Sequence, residues 1–234
     1  MRFDVLTLHP ELVRAPLSGS IVGRGVASGR FELGVVDMRE HGLGRHRSVD
    51  DTPYGGGAGM VLRVDVVAAA IAAVRRPESL VLLTTPAGAP FRQADAQRLA
   101  EVGHLVLVCG HYEGVDGRVE GLVDGLLSLG DFVLTGGEIA AVAVVDAVAR
   151  LLPGVLGNEA SASDESFSEG LIEYAQYTRP RTFEGEGVPD VLLSGHHAQI
   201  EAWRRRSSED RTQRLRPDLW RAYRGRVDAD GGDE

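Results

Sequence analysis

The chain has 234 residues, 43% of them hydrophobic and 25% charged, with a formal net charge of −9 at pH 7. That length buries one good core, or one core with a small appended domain, and the acidic balance excludes a protein that coats nucleic acid indiscriminately. A single cysteine, Cys109, excludes an internal disulfide and a Cys-rich metal site. No apolar run approaches the roughly 18 residues of a membrane span; the clearest, 139–145, stops at Asp146. The first residues carry acid and proline where a signal peptide needs an apolar core, so the expected location is cytoplasmic, with no membrane partner.

Residues 3–8 predict a first strand, closed by His9 and Pro10. A helix is expected from Ser20, a candidate N-cap, to Ala27, with Gly29 ending it. Phe31, Leu33 and Val35 alternate with Glu32, Gly34 and Val36, the pattern of a half-buried second strand. Residues 41–60 are too polar and Gly-rich for either regular element. Their glycines lack the preceding strand and the spacing of a dinucleotide fingerprint, yet His46, Arg47, Asp50, Asp51 and Tyr54 make this a candidate substrate-facing loop. Val64, Val67, Ala68, Ile71 and Val74 follow helical spacing until Pro77 bars continuation. Residues 79–85, SLVLLTT, form the continuous apolar run of a central parallel strand, and Pro86, Ala87 and Gly88 turn the chain after it. A helix over 93–102 leads to another buried strand, 105–109, ending in Gly110-His111-Tyr112-Glu113-Gly114.

Residues 128–150 read as a short strand, a second apolar step, the pair Gly136-Gly137, and a long apolar helix. Strands alternating with helices predict an α/β domain with a parallel sheet. Three Gly-bearing turns, after Thr85, Cys109 and Leu134, then fall at the carboxyl ends of strands, where open α/β sheets bind ligands. Without Cβ atoms, Gly136 and Gly137 are expected to take positive φ and let a flat ligand lie against the main chain. Glu138 opens the helix, where a carboxylate suits the dipole. With acids at Asp131 and Glu138 and no Lys or Arg over 128–149, the loop suits a neutral or cationic ligand, such as an adenosine carrying a sulfonium, better than a pyrophosphate. An ordinary strand-turn-helix corner is the bland alternative.

Pro153 and Gly154 stop that helix, and residues 157–170, rich in Ser, Glu and Ala, predict a mobile linker between domains. Residues 188–206 offer a small helical unit in which Ile200 and Trp203 bury one face. Between Arg204 and Arg226 stand nine arginines and three acids, a local charge of +6. That is a dock for a polyanion or a solvated helical face.

Three motifs are specific together: Gly110-His111-Tyr112-Glu113-Gly114-Val115-Asp116, Ser128-Leu129-Gly130-Asp131-Phe132-Val133-Leu134 and Gly136-Gly137-Glu138. Further segments are Val49-Asp50-Asp51 with Pro53-Tyr54-Gly55-Gly56-Gly57, Pro153-Gly154-Val155-Leu156-Gly157, Tyr177-Thr178-Arg179-Pro180 and Val191-Leu192-Leu193-Ser194-Gly195. In this order, and over nearly the whole chain, the sequence resembles the TrmD family of bacterial tRNA (guanine-N1)-methyltransferases, within the SPOUT superfamily.

The resemblance implies an α/β parallel sheet carrying a deep trefoil knot, an exception to the rule against threaded chains, plus a small mostly helical C-terminal domain. The implied boundaries are a knotted catalytic domain at 1–157, a flexible linker at 158–171 and a tRNA-binding domain at 172–234. It also implies a homodimer with the active site between subunits. S-adenosyl-L-methionine would be held by Thr85, Pro86 and Gly88, by Gly110, Tyr112 and Glu113, by Leu129, Gly130, Asp131, Phe132, Val133 and Leu134, and by Gly136 and Gly137. Asp50, Tyr54, Gly55, Gly56 and Ser166 would meet the tRNA anticodon stem-loop, whose guanosine 3′ of the anticodon is the acceptor at N1. Arg150 matches the arginine that stabilises charge on the guanine O6.

The general base in the family is an Asp directly before a Ser. Here Asp164-Glu165-Ser166 puts Glu165 in that place and Asp164 one earlier, so both are candidates, with Asp164 of the expected type. An oxygen misplaced by about 1 Å costs roughly 100-fold. The alternative is therefore a catalytically impaired tRNA-binding protein of the same fold. Phe132 stands for a Tyr, Ala140 for a Pro and His9 for a common Phe. The family implies Mg2+, through Glu113 or substrate phosphates, without a ligand set in this sequence. The histidine pairs 41/46 and 196/197 lack a third ligand at metal spacing.

Overall fold

A computed structural model describes residues 1–157, 166–167 and 169–230. By their internal contacts the residues form two units, Met1–Gly157 and Asn158–Glu234.

The first unit opens with β1 (Arg2–Thr7), buried at five of its six positions. Helix α1 (Pro10–Leu17) follows directly. Pro10, expected to close the first strand, instead opens this helix because proline's fixed φ suits the first helical turn, and Val13 and Leu17, one turn apart, bury the same face. In α2 (Ser20–Ala27) the cap is Gly19, and Ser20 is already helical by hydrogen bonding while holding φ at +56°. Then come β2 (Glu32–Asp37), the short antiparallel pair β3 (Asp50–Asp51) and β4 (Val61–Leu62) that closes the Gly-rich stretch, and α3 (Val64–Val74). The rest of the unit is β5 (Ser79–Pro90), α4 (Gln93–Ala100), β6 (His104–Cys109), β7 (Gly125–Ser128) and α5 (Glu138–Ala149).

Five strands form one sheet in the order β2-β1-β6-β5-β7, every pair parallel, as the alternation of elements predicts. Because side chains alternate across a strand, the sheet feeds two cores. Phe3, Val5, Leu105, Leu107 and Cys109 pack with residues of α1, α2, α4 and α5, including Val144, Val145 and Val148. Leu6, Val81, Leu83, Val106 and Val108 pack on the opposite face with Val66, Val67, Ala70 and Ile71 of α3. Each fully buried side chain of this kind contributes roughly 1.5–3 kcal/mol. All six residues of β6 are buried, the mark of a central parallel strand.

Two expectations at the carboxyl edge need correction. β5 does not turn at Pro86: it runs on to Pro90, with a register shift against β7 between Thr84 and Ala89. A Cβ at Gly88 would stand 2.3–2.6 Å from the Leu127 backbone, so glycine lets the two chains pass. The apolar step 128–134 is no strand: β7 ends at Ser128, and Phe132, Val133 and Leu134 are exposed at 55%, 86% and 40%. The third turn therefore begins after Ser128 instead of Leu134.

In the second unit a hairpin of β8 (Thr182–Phe183) and β9 (Glu186–Gly187) precedes a 3-10 turn at Asp190–Leu193 and two helices, α6 (His197–Leu215) and α7 (Pro217–Asp230). α6 extends beyond the expected unit, and Ile200 and Trp203 are half-buried on it. Thr212, wholly buried, accepts from the Ile172 N–H at 2.9 Å and donates to the Ser208 carbonyl at 2.6 Å.

Candidate functional site

The carboxyl ends of β5, β6 and β7 open onto a cleft of about 760 Å³, space continuous with solvent included. Its walls are Thr85 and Pro86 from β5, the turn from Gly110 to Val115 after β6, and Leu129, Gly130 and the segment Phe132 to Gly137 after β7. Of the predicted donor-binding residues, Thr85, Pro86, Gly110, Tyr112, Glu113, Leu129, Gly130, Phe132, Val133, Leu134, Gly136 and Gly137 share this lining. Gly88 does not, being occupied with the passage past Leu127; Asp131 is exposed and also stands outside it.

The glycine pair works differently from the expectation. Neither Gly136 nor Gly137 takes positive φ. A Cβ on Gly137 would lie 2.0 Å from Thr84 Oγ1 and 2.9 Å from Cys109 Cα; one on Gly136 would lie 2.3 Å from Glu138 Oε2 and 2.5 Å from His111 Nδ1. The missing carbons let the start of α5 press against the end of β6, where the Gly137 N–H donates to the Gly110 carbonyl at 2.8 Å. Left-handed backbone sits elsewhere in the walls, at Tyr112 (φ +61°), Gly114 (+139°) and Gly130 (+151°). Tyr112 is 42% exposed, and its phenol is pushed up by burial and by the Asp50 charge, against a downward pull from Arg39.

Glu138 also departs from its expected place. It is 2% exposed, takes a hydrogen bond from Thr7 Oγ1 at 2.8 Å and faces His111 Nδ1 at 3.9 Å, beneath the cleft and not in its lining. Among the described residues the lining carries one carboxylate, Glu113, one imidazole, His111, and no Lys or Arg. The cleft is therefore built for a neutral or cationic ligand, and a pyrophosphate would find no counter-charge there. Cys109, below the floor, is wholly buried, and burial followed by the Glu138 charge pushes its thiol well up, which keeps it protonated.

The Gly-rich loop is fastened to the same turn. Val61 bridges Tyr112, Leu62 bridges Val115, and the Glu113 N–H donates to the Met60 carbonyl at 3.0 Å. Arg63 anchors the loop's base, pairing with Asp51 at 3.0 Å and Asp65 at 2.8 Å. Asp50 is half-buried there, Tyr54 is fully exposed, and Gly55 and Gly56 hold φ at +87° and +82°. Ser166, in the second unit, accepts from the Glu173 N–H at 3.0 Å. Asp164 and Glu165 lie outside the described residues. Arg150 caps the carboxyl end of α5, about 20 Å along the axis from Gly137, so its own chain's cleft is out of its reach. Among the described residues no cluster of three or more His, Cys, Asp or Glu is placed to hold a metal.

The family profile described as tRNA (guanine-1)-methyltransferase TrmD matches residues 1–222. The chain belongs to the TrmD family. Its relatives include a protein of Anaeromyxobacter sp. (strain Fw109-5), 55% identical over 223 residues that cover 94% of this chain and 90% of the relative. One from Thermus thermophilus is 54% identical over 221 residues, 94% and 91% of the two chains. One from Geobacter sp. (strain M21) is 53% identical over 222 residues, 94% and 89%. All three are named tRNA (guanine-N(1)-)-methyltransferase. No helix among the described residues is long and apolar enough to cross a membrane.

His111, within the Gly110-to-Glu113 turn, is a further functional candidate that the motifs alone do not single out. The available signal was that His9 and His111 each follow a strand closely, but the adjacency of β1 and β6 in the sheet cannot be read from chain order.

Proposed function

We propose that this chain is a tRNA (guanine-N1)-methyltransferase that moves the methyl group of S-adenosyl-L-methionine to N1 of the guanosine 3′ of the anticodon. The observation that carries the reading is a glycine-walled cleft without Lys or Arg, at the carboxyl edge of the sheet, in a chain of the TrmD family. Main-chain N–H and C=O groups of the three turns would meet the adenosine, and the Glu113 carboxylate would face the sulfonium.

The donor supplies an electrophilic methyl: as N1 forms its bond to carbon, the carbon–sulfur bond breaks and a neutral thioether leaves. Guanine N1 carries a proton and becomes a useful nucleophile only as that proton departs, so a placed carboxylate is required, and Asp164 or Glu165 takes that role. Charge then moves to O6, where a fixed guanidinium stabilises it. We assign this to Arg150. The length of α5 keeps Arg150 away from its own cleft, so in this reading it serves the cleft of a second copy in a homodimer. A base in an anticodon loop is already single-stranded, and turning it out costs only a few kcal/mol. Residues 158–171 would close over it on tRNA binding, Asp50, Tyr54, Gly55, Gly56 and Ser166 would contact the loop, and residues 172–234 would hold the stem. A knotted path through the turns that line the cleft, cytoplasmic action and a supporting Mg2+ complete the proposal.

The test is labelled S-adenosyl-L-methionine with tRNAs that carry or lack guanosine at that position. Transfer only to the first is expected. Transfer to neither, with donor and tRNA both bound, would instead mark an impaired binding protein, in which Glu165→Asp restores turnover. Asp164→Asn, Glu165→Gln and Arg150→Ala, measured singly, then separate the base from its neighbour.

A further inference from the structure

Four polar residues close a ring under the wall of the cleft. The His9 main-chain N–H donates to Thr7 Oγ1 at 2.8 Å, and that hydroxyl donates to Glu138 Oε1 at 2.8 Å. Glu138 Oε2 faces His111 Nδ1 at 3.9 Å, and His111 Nε2 meets His9 Nε2 at 3.3 Å with the rings 4.6 Å apart. Thr7 and Glu138 are wholly enclosed. Members come from the end of β1, the turn after β6 and the first turn of α5; of these, the turn after β6 carries part of the cleft wall.

The ring has a direction. Two nitrogens facing at 3.3 Å share one proton, so one donates and the other accepts. His111 Nδ1 is sealed from solvent, has no hydrogen-bond partner and looks at the Glu138 carboxylate; a lone pair there would face an anion. The proton therefore belongs on Nδ1, which leaves Nε2 of His111 to accept from His9 Nε2–H. Gly136 is part of the device, because a Cβ on it would fill the gap between Glu138 and His111.

We propose that His9 and Glu138 are positioning residues that hold His111 in its Nδ1–H tautomer, and that His111 so held fixes the turn from Gly110 to Glu113 for the donor. This rests on the methyltransferase reading above. The fixed imidazole lines the cleft, and Tyr112, whose ring stands at 83° to it and 5.2 Å away, holds a left-handed backbone beside it. The whole turn is then prepared before the donor arrives, which lowers the ordering cost of binding.

Substitutions at His9 test this without touching the lining. Gln places an amide N–H where His9 Nε2–H stands, and Leu fills the space without a donor. His9→Leu is expected to raise the KM for S-adenosyl-L-methionine about tenfold with kcat at saturating donor kept within about twofold, while His9→Gln stays near the parent. Calorimetric binding of the donor alone should repeat the same ranking. Nitrogen-15 long-range NMR on the full chain, with the His111 signals assigned by their loss in His111→Gln, is expected to show Nδ1 protonated and Nε2 bare. An Nε2–H tautomer at His111, or a His9→Leu protein that binds the donor as the parent does, would overturn the proposal. Absence of methyl transfer by the parent defeats the methyltransferase reading alone, since the tautomer and the donor-binding ranking are read without turnover.

Discussion

Gly137 is the position where one added carbon does most harm. Its Cβ would strike Thr84 Oγ1 at 2.0 Å and two backbone atoms, Cys109 Cα and Gly110 N, at 2.9 and 3.0 Å, and neither backbone neighbour can move without bending β6. Gly137→Ala is therefore expected to cost about 1–3 kcal/mol in chemical denaturation and to push α5 off the cleft floor, with a matching loss of donor affinity by calorimetry. Gly117→Ala is the control: nothing stands within 4 Å of its Cβ and its φ is ordinary, so its stability should change by less than about 0.5 kcal/mol. Asp116 supplies a second prediction at this scale. The Arg118 side chain, then the Arg118 main-chain N–H, hold its carboxyl down from 3.8 to about 2. A folded pKa below the unfolded one means stability that is present above the unfolded value and lost as pH falls through the folded one. The window is thus from just below pH 4 to about pH 2. Asp116→Asn should flatten the fall of the melting temperature across that window, and because the pair lies close to solvent the effect should shrink as salt is added.

At the scale of elements, the amino end of the sheet is pinned by charged and polar side chains. Asp4 of β1 accepts from Arg2 at 2.7 and 3.0 Å and faces His104 of β6 at 2.8 Å; His104 Nδ1 meets Ser79 Oγ of β5 at 2.7 Å, and Arg2 reaches Glu32 of β2 at 2.8 Å. Four adjacent strands are joined at one level, in step with their register. Asp4 and His104 are each 1% exposed, so Asp4→Ala strands a buried imidazole and one end of Arg2. Its expected cost is about 3–5 kcal/mol, read as a lower urea midpoint at unchanged slope, with Asp4→Asn less damaging. None of this network was legible in the sequence, because strand order is set by tertiary packing and Arg2 to His104 spans most of the domain. What was legible were elements whose pattern is local: β1, α3, the first half of β5, β6 and α5 are apolar runs of the right length. α1 was hidden by Pro10, which reads as the end of the first strand although it suits a helix start. Phe132, Val133 and Leu134 read as a strand because apolar residues usually mean core, whereas these three line a cleft. Most residues named from the ordered motifs lie together in the cleft lining, but the burial of Glu138 against Thr7 and His111 was not legible, since a carboxylate at a helix start normally faces water.

Across the whole molecule, charge is divided unevenly, and that division predicts how the protein meets tRNA. The chain is −9 overall, yet residues 204–226 carry nine arginines against three acids. Within the second unit several of these are committed to structure: Arg205 pairs with Glu209 at 2.9 Å and lies over the Tyr223 ring at 5.5 Å, and Arg224 lies 5.9 Å over Trp220. Arg214 of α6 and Arg221 of α7 are exposed. If these helices take phosphates, each such contact releases counterions, and affinity falls with salt in proportion to the contacts made. Arg214→Ala combined with Arg221→Ala should then weaken binding of all tRNAs alike and reduce the slope of log affinity against log salt by about 1.5 to 2. The KM for the methyl donor should not move, because neither residue belongs to the unit that carries the cleft. A slope equal to the parent's would mean that the arginine-rich face is solvated and that the Gly-rich loop and the linker hold the nucleic acid without it. A change in donor KM would mean that the second unit influences the cleft.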